Sequence, residues 1–267
     1  MTASSNRADA APAGRSPAAV VVAHPDDEAL WLSSIVASAD RVVFCFGALF
    51  DRPRDSQARR QALAALPLTG VVNLAVPESG AGFCTDWTEP QPTPTGIRIA
   101  EPAARLRYES NYATIIEGLR GCLEGFRDVF THNPWGEYGH TEHIQVHRAV
   151  AALQSELGFT LWFSNYVGRR SWPLACRLGG EVRWAQRRVL RPDRVGARAL
   201  RRVYRVHGAW TWTRAHYWPS REVLYGVPPG ACSELGRPLA GEWLLDVAGL
   251  RWWPPWPFPR RRRLPPA

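Results

Sequence analysis

The chain contains no lysine: its 33 Lys-plus-Arg positions are all arginine. Together with the alanine and proline content this reads as a GC-rich coding bias, and the formal net charge of +9 is taken in that light. Cysteine is sparse. Cys45, Cys84, Cys122, Cys176 and Cys232 make no CxxC pair and no dense framework. That excludes a disulfide scaffold and predicts free thiols in a cytoplasmic protein, with Cys45 in the core. Long apolar runs are missing too, so no segment is read as spanning a bilayer. The first 17 residues carry Arg7, Asp9 and Arg15 and no continuous apolar stretch, so they are read as a disordered tail and not as a signal peptide. No G-x-G-x-x-G follows the first apolar run, which excludes the dinucleotide fingerprint. The Arg-rich segments come without a nucleic-acid recognition motif, and no nucleic-acid partner is expected.

What is present fits one large domain. A 267-residue chain that is 45% apolar can build a substantial core. Short Val-rich runs over 18–23, 41–46 and 71–75 alternate with helical patterns over 28–39 and 55–66, a β-α-β-α-β opening that predicts a parallel sheet. Residues 77–102 break that rhythm with Pro and Gly. They read as a long loop that could cover a site, with Phe83 and Trp87 available to stack on a ligand or anchor the loop. A helix over 103–124, a strand over 128–131, a helix over 142–157 and a strand over 160–164 complete a sheet of at least five strands. Beyond residue 165 the periodicity weakens. Basic helix is expected across 183–204, some strand across 206–225, and a Pro/Trp/Arg-rich tail over 250–267. Residues 181–205 hold nine arginines against Glu181 and Asp193, which reads as a solvated basic face.

Chemistry concentrates in two stretches. Residues 18–28 run Ala-Ala-Val-Val-Val-Ala-His-Pro-Asp-Asp-Glu. The apolar part predicts a buried strand, so His24, Asp26 and Asp27 fall at its C-terminal end, where open α/β sheets place their sites. Adjacent like charges there call for a positive partner, and a divalent metal is the obvious one. One Asp could ligate while the other handles a proton. The second stretch, 131–147, contains His132, Glu137, Tyr138, His140, His143 and His147. With a helix starting near Thr141, His140 and His143 face one pocket.

Ala23-His24-Pro25-Asp26-Asp27-Glu28 followed by Tyr138-Gly139-His140-x-x-His143 resembles the LmbE-like / PIG-L metal-dependent deacetylases across roughly residues 18–165. The resemblance implies a Rossmann-like three-layer α/β sandwich with a mostly parallel sheet. Residues 18–165 would be its catalytic core, 166–249 a basic, Trp-rich C-terminal part of the same domain, and 250–267 a tail. It implies one zinc ion on His24, Asp27 and His143, with Asp26 as general base for the attacking water. His140 would stabilise the oxyanion or protonate the leaving amine if it is protonated near neutral pH, with Tyr138 near the carbonyl. The substrate would be an N-acetylated amino sugar or glycoconjugate, releasing acetate. Arg59 or Arg60 would fill a sugar-facing Arg role. Read from the residues themselves, Trp87 could stack on a sugar or anchor its loop. His132 could line the pocket, hydrogen-bond a ligand's second nitrogen or be structural. Glu137 and Glu142, near the pocket rim, could orient a His or meet substrate hydroxyls. Departures stand beside the match. Ala29-Leu30-Trp31 replaces the usual Gly, and Thr141-Glu142 replaces Pro-Asp. These point away from free N-acetylglucosamine and toward another acylamino sugar or a glycoside of secondary metabolism. Another small amide, or a non-catalytic interaction protein of the same fold, is the alternative. Self-association is left open.

Overall fold

The computed structural model describes residues 16–213, 216–230, 236–247 and 252–253. Most of the expected N-terminal tail, Cys232, and the C-terminal tail apart from Trp252 and Trp253 lie outside the described residues.

The first strand, β1 (Ala18–Val22), is buried on both sides. Its β-branched residues alternate between two cores. Ala19, Val21 and Ala23 point into one apolar layer, and Val20 and Val22 into the other. The chain continues through α1 (Asp27–Trp31), β2 (Arg41–Phe44), α2 (Pro53–Ala64) and β3 (Val71–Asn73). A small hairpin, β4 (Pro92–Thr93) and β5 (Gly96–Ile97), precedes α3 (Pro102–Leu123), β6 (Asp128–Thr131), α4 (Thr141–Leu157) and β7 (Thr160–Ser164). Then come β8 (Tyr166–Val167), α5 (Trp172–Leu178), β9 (Arg183–Trp184), β10 (Gln186–Leu190), α6 (Arg194–Val206), β11 (Glu222–Val227), β12 (Arg237–Pro238), β13 (Leu244–Asp246) and β14 (Trp252–Trp253).

The main sheet has seven strands in the order β10-β11-β7-β6-β1-β2-β3. β3, β2, β1, β6 and β7 are parallel, whereas β11 and β10 are antiparallel additions. Helices α3, α4 and α5 pack on one face and α1, α2 and α6 on the other. This is the three-layer α/β sandwich expected from the sequence. The order turns back between β1 and β6, whose register pairs Val20 with Phe130. That reversal opens a crevice at the strands' C-terminal ends, and both His-rich stretches empty into it.

Three expectations are corrected. The helix read over 28–39 stops at Trp31, because the chain turns so that Ser33 Oγ and Ser34 N–H donate to the buried carboxylate of Glu222 (3.0 and 3.2 Å). The basic segment 183–204 is not all helix. β10 pairs with β11, and Arg188 lies over the Trp162 ring (3.9 Å) and reaches Asp128 (3.4 Å). Helix begins only at Arg194, where Asp193 accepts from the N–H groups of Val195 and Gly196 (3.1 and 2.9 Å). The alternating Ala209–Thr213 forms no strand; it is an irregular strap over the crevice, and the strand is β11. No described helix is long and apolar enough to cross a membrane.

Candidate metal centre and active site

Pro25 and Asp26 turn the chain sharply after β1. Asp26 takes a left-handed backbone conformation (φ 93°) that few residues other than Gly adopt. The turn swings Asp27 back toward β1, and its Oδ2 accepts the backbone N–H of His24 at 2.7 Å. Its Oδ1 accepts from the indole of Trp31 at 3.0 Å. Across the crevice, β6 delivers His132 and a closed loop. Asn133 N–H donates to Glu137 Oε1, and Glu137 N–H returns to Asn133 Oδ1, both at 2.9 Å. Gly136 (φ 70°) is required in this loop, since a Cβ there would lie 2.5 Å from the His140 carbonyl. Helix α4 then starts with His140 at its N-cap and His143 in its first turn.

Two buried carboxylates orient the imidazoles. Glu137 Oε2 lies 2.7 Å from His143 Nδ1 and 3.1 Å from His132 Nδ1. Glu142 Oε2 lies 2.8 Å from His24 Nε2, and its Oε1 accepts both donors of Ser79. Each of His24 and His143 therefore gives one nitrogen to a carboxylate and turns the other on Asp27 Oδ2. His24 Nδ1 and His143 Nε2 are both 3.3 Å from that oxygen. His143 Nε2 is buried and has no hydrogen-bond partner. An orphaned imidazole nitrogen facing a carboxylate, backed by a second carboxylate, is the arrangement of a metal ligand with its orienting group.

Among the described residues, three groupings have ligand atoms within 4.8 Å of one another: His24, His140 and His143; Asp27, His132 and His143; and His24, Glu78 and Glu142. The trio expected from sequence, His24, Asp27 and His143, straddles the first two. Chemistry narrows the choice. His132 Nε2 already accepts the Ala23 N–H at 2.8 Å, with its Nδ1 on Glu137, so it has no lone pair to offer a cation. Glu78 is paired with Arg59. The donor set of two imidazoles and one carboxylate fits a divalent ion such as zinc.

Electrostatics divides the two aspartates. Burial opposes charge on Asp27, yet the surrounding His143, His132 and His24 hold it well below the usual carboxylate range. Asp26 is pushed up to about 7, first by burial and then by the Asp27 charge, with the Thr211 hydrogen bonds pulling against both. Burial lowers His24, but Glu78, Asp27 and Glu142 together raise it to about 10. Burial opposes charge on His132 while Glu137 and Asp27 favour it, but the Ala23 N–H pointing at its Nε2 requires the neutral ring there. A cation entering between His24 and Asp27 would have to displace a proton. Burial and the neighbouring His24 and His143 hold His140 well below its ordinary value. That direction disfavours the protonated form on which an amine-protonating role of His140 depends.

Other expected site residues separate clearly. Tyr138 is at the mouth, 5.4 Å from His143 and 5.9 Å from His140 between ring centroids. Arg59 is buried on α2 and ties Glu78 and the Phe46 carbonyl beside His24, so it braces the site. Arg60 is exposed on the same helix, and no contact brings it to the crevice. Trp87 is half-buried against the core layer under α3 and α4 and does not line the site. Glu137 is fully buried beneath the imidazoles of His132 and His143, which it meets through Oε2, and His132, also fully buried, lies between Glu137 and the Ala23 N–H. The 77–102 segment does border the site. Gly82 carbonyl accepts Thr141 N–H at 3.0 Å, and Phe83 stands edge-on to His140 at 5.3 Å with Arg170 over its other side (4.2 Å). Sequence reading missed half-buried Glu78 and buried Ser79, in a loop without motif, and Thr211 and Trp212, whose alternating stretch reads as strand and carries no site motif. Glu142 is buried, with its Oε2 against His24.

No protein-family model matches the chain, and no curated protein is similar to it at a significant level. Among solved structures, it is similar to the zinc-inhibited form of teicoplanin deacetylase Orf2, with 12% identity, a TM-score of 0.51, and coverage of 81% of this chain and 100% of that one. A deacetylase–teicoplanin complex from the teicoplanin biosynthesis pathway matches with 12% identity and a TM-score of 0.51, over 79% of this chain and 97% of that one. At this identity the likeness is one of fold.

Proposed function

We propose that the protein is a metal-dependent deacylase of the LmbE-like / PIG-L type, cleaving the amide of an N-acylated amino sugar within a larger conjugate. One observation carries this reading. Two imidazoles, each backed by a buried carboxylate, converge on Asp27 Oδ2, with a second, less acidic carboxylate next to it.

His24, Asp27 and His143 would hold the ion, with zinc the first candidate. When bound, it polarises an acyl carbonyl and makes water a better nucleophile. Asp26, raised to about 7, suits the removal of a proton from the attacking water near neutral pH. The proton it collects is then available to the departing amine. His140, 4.7 Å from His24 between ring centroids, would donate a hydrogen bond to the developing oxyanion, and Tyr138 would do so from the mouth. The rim of Phe83, Tyr138 and Trp212, with Arg170 over Phe83, would stack on flat or apolar parts of a conjugate. Such a rim suits an aromatic glycoconjugate; the deacetylase of similar fold is seen in complex with teicoplanin.

The test is metal content and acetate release on a panel of N-acylated sugars and glycosides, comparing wild type with Asp26→Ala. The expected result is about one divalent ion per chain in both proteins, with turnover in the wild type alone. Folded protein that takes up no ion from zinc, cobalt or nickel solutions overturns the ligand assignment. Equal turnover by Asp26→Ala overturns the base.

A further inference from the structure

Asp26 is not held by its own motif. As N-cap residue of α1 its side chain makes no capping hydrogen bond. Both donors on its carboxylate come from far along the chain: Thr211 N–H and Thr211 Oγ1–H reach the same oxygen, Oδ2, at 2.7 and 2.8 Å. The strap that carries Thr211 follows α6 and is fastened on either side. Upstream, Tyr204 Oη–H donates to Glu28 Oε1 at 2.9 Å. Next along the chain, Trp212 packs against Trp31 (5.2 Å) and Tyr138 (4.7 Å). Downstream, the Trp218 indole donates to the Ala29 carbonyl at 2.6 Å. The same short helix that carries Asp27 thus anchors the strap.

We propose that Thr211 is a positioning residue for Asp26. This rests on the deacylase reading above. Two donors on one oxygen fix the plane of a carboxylate that would otherwise rotate about its terminal bond. They also localise negative charge on Oδ2, making it the poorer proton acceptor, and leave Oδ1 to take the proton of the attacking water. The motif does not supply these donors itself: in its left-handed turn Asp27 N–H donates to the His24 carbonyl, and the N–H groups of Ala29 and Leu30 donate to the backbone carbonyl of Asp26. The C-terminal part of the chain is therefore a component of the active site and more than a scaffold extension.

The experiment compares Thr211→Val, which keeps the branched shape and loses the hydroxyl, with Thr211→Ser, which restores it. Both are made in wild-type and Asp26→Asn backgrounds. With a substrate from the panel above, Thr211→Val lowers kcat by roughly 10- to 100-fold, the usual worth of one hydrogen bond to a charged group. KM and metal content stay near wild type, and Thr211→Ser recovers most of the rate. In the Asp26→Asn background Thr211→Val causes no further loss, as expected when two residues act as one unit. An unchanged kcat in Thr211→Val, no rescue by Ser, or an equal loss in the Asp26→Asn background overturns the proposal. Crystal structures of wild type and Thr211→Val test it without turnover. The Asp26 carboxylate is expected fixed in the first and rotated or spread over two positions in the second; the same single position in both overturns the proposal. Absence of turnover by wild type on every substrate would count against the deacylase reading alone, and the crystal comparison would still decide the role of Thr211.

Discussion

Replacing Glu137 by glutamine preserves the side chain's shape and removes its charge, and the site's dependence on that charge can be worked out. Oε2 serves the Nδ1 atoms of His143 and His132 at 2.7 and 3.1 Å, and Oε1 serves Asn133 N–H at 2.9 Å. An amide has one acceptor oxygen, so its NH2 group must face either the imidazoles or Asn133. In the metal-free protein burial opposes ionisation of Glu137, yet His132 and His143 bring its pKa from 4.5 down to about 2. At ~1.36 kcal/mol per pKa unit the difference corresponds to about 3 kcal/mol. Because the folded value is the lower one, this stabilisation is fully present above the ordinary pKa of 4.5 and is lost as pH falls toward about 2. Glu137→Gln should therefore melt roughly 6–12 °C lower at neutral pH, at ~2–4 °C per kcal/mol for a domain of this size. Its affinity for zinc should fall by about 10- to 100-fold, because His143 loses the acceptor that keeps its proton on Nδ1 and its lone pair on Nε2. Thermal melts of the metal-free protein and calorimetric zinc titrations read the two effects separately. A variant that melts with the wild type and binds zinc equally well would refute the claim that this carboxylate organises the imidazoles.

Other outcomes follow from the same geometry. His143→Ala removes a ligand and should lose zinc at stoichiometric concentrations while the fold, checked by circular dichroism, persists; retained zinc would move the site to another grouping. Trp31→Phe deletes the indole donor on Asp27 Oδ1 and should weaken metal binding several-fold by loosening that carboxylate, as an orienting partner does, which a competitive chelator assay would measure. His216 is buried and held at about 4 by burial and Arg201. Its contribution is present above its ordinary 6.5 and is lost as pH falls toward about 4. His216→Phe should flatten the acid side of the stability–pH curve, seen in denaturant melts across that range. Gly226 faces Trp162 across β11 and β7, and a Cβ there would sit 2.8 Å from the ring. Gly226→Ala should cost about 1–3 kcal/mol by overpacking, measured by urea unfolding.

Much of this protein is determined by local sequence. Six β-branched or small residues followed by His-Pro-Asp-Asp require a buried strand that ends in a polar turn, wherever the rest of the chain goes. The spacing of His140 and His143 places both on the first turn of a helix. Local periodicity likewise located α2, α3, β6, α4 and β7 to within two or three residues, since a stripe or an alternation depends only on neighbours in the chain. Tertiary structure decided what depends on partners distant in sequence. That His24 meets Glu142 and that His143 meets Asp27 follows from β1 lying beside β6, a pairing no window of residues encodes. That the Nε2 of His132 meets the N–H of Ala23 likewise comes from the pairing of β1 with β6. The segment 183–190 became strand because β11 offered an edge and Trp162 a surface for Arg188, outweighing any helical tendency of the arginines. Glu78, Ser79 and Thr211 belong to no site motif. Each acquires its role only when the fold sets it against a buried charge, where a hydrogen bond that would be exchanged for water elsewhere must be made within the protein.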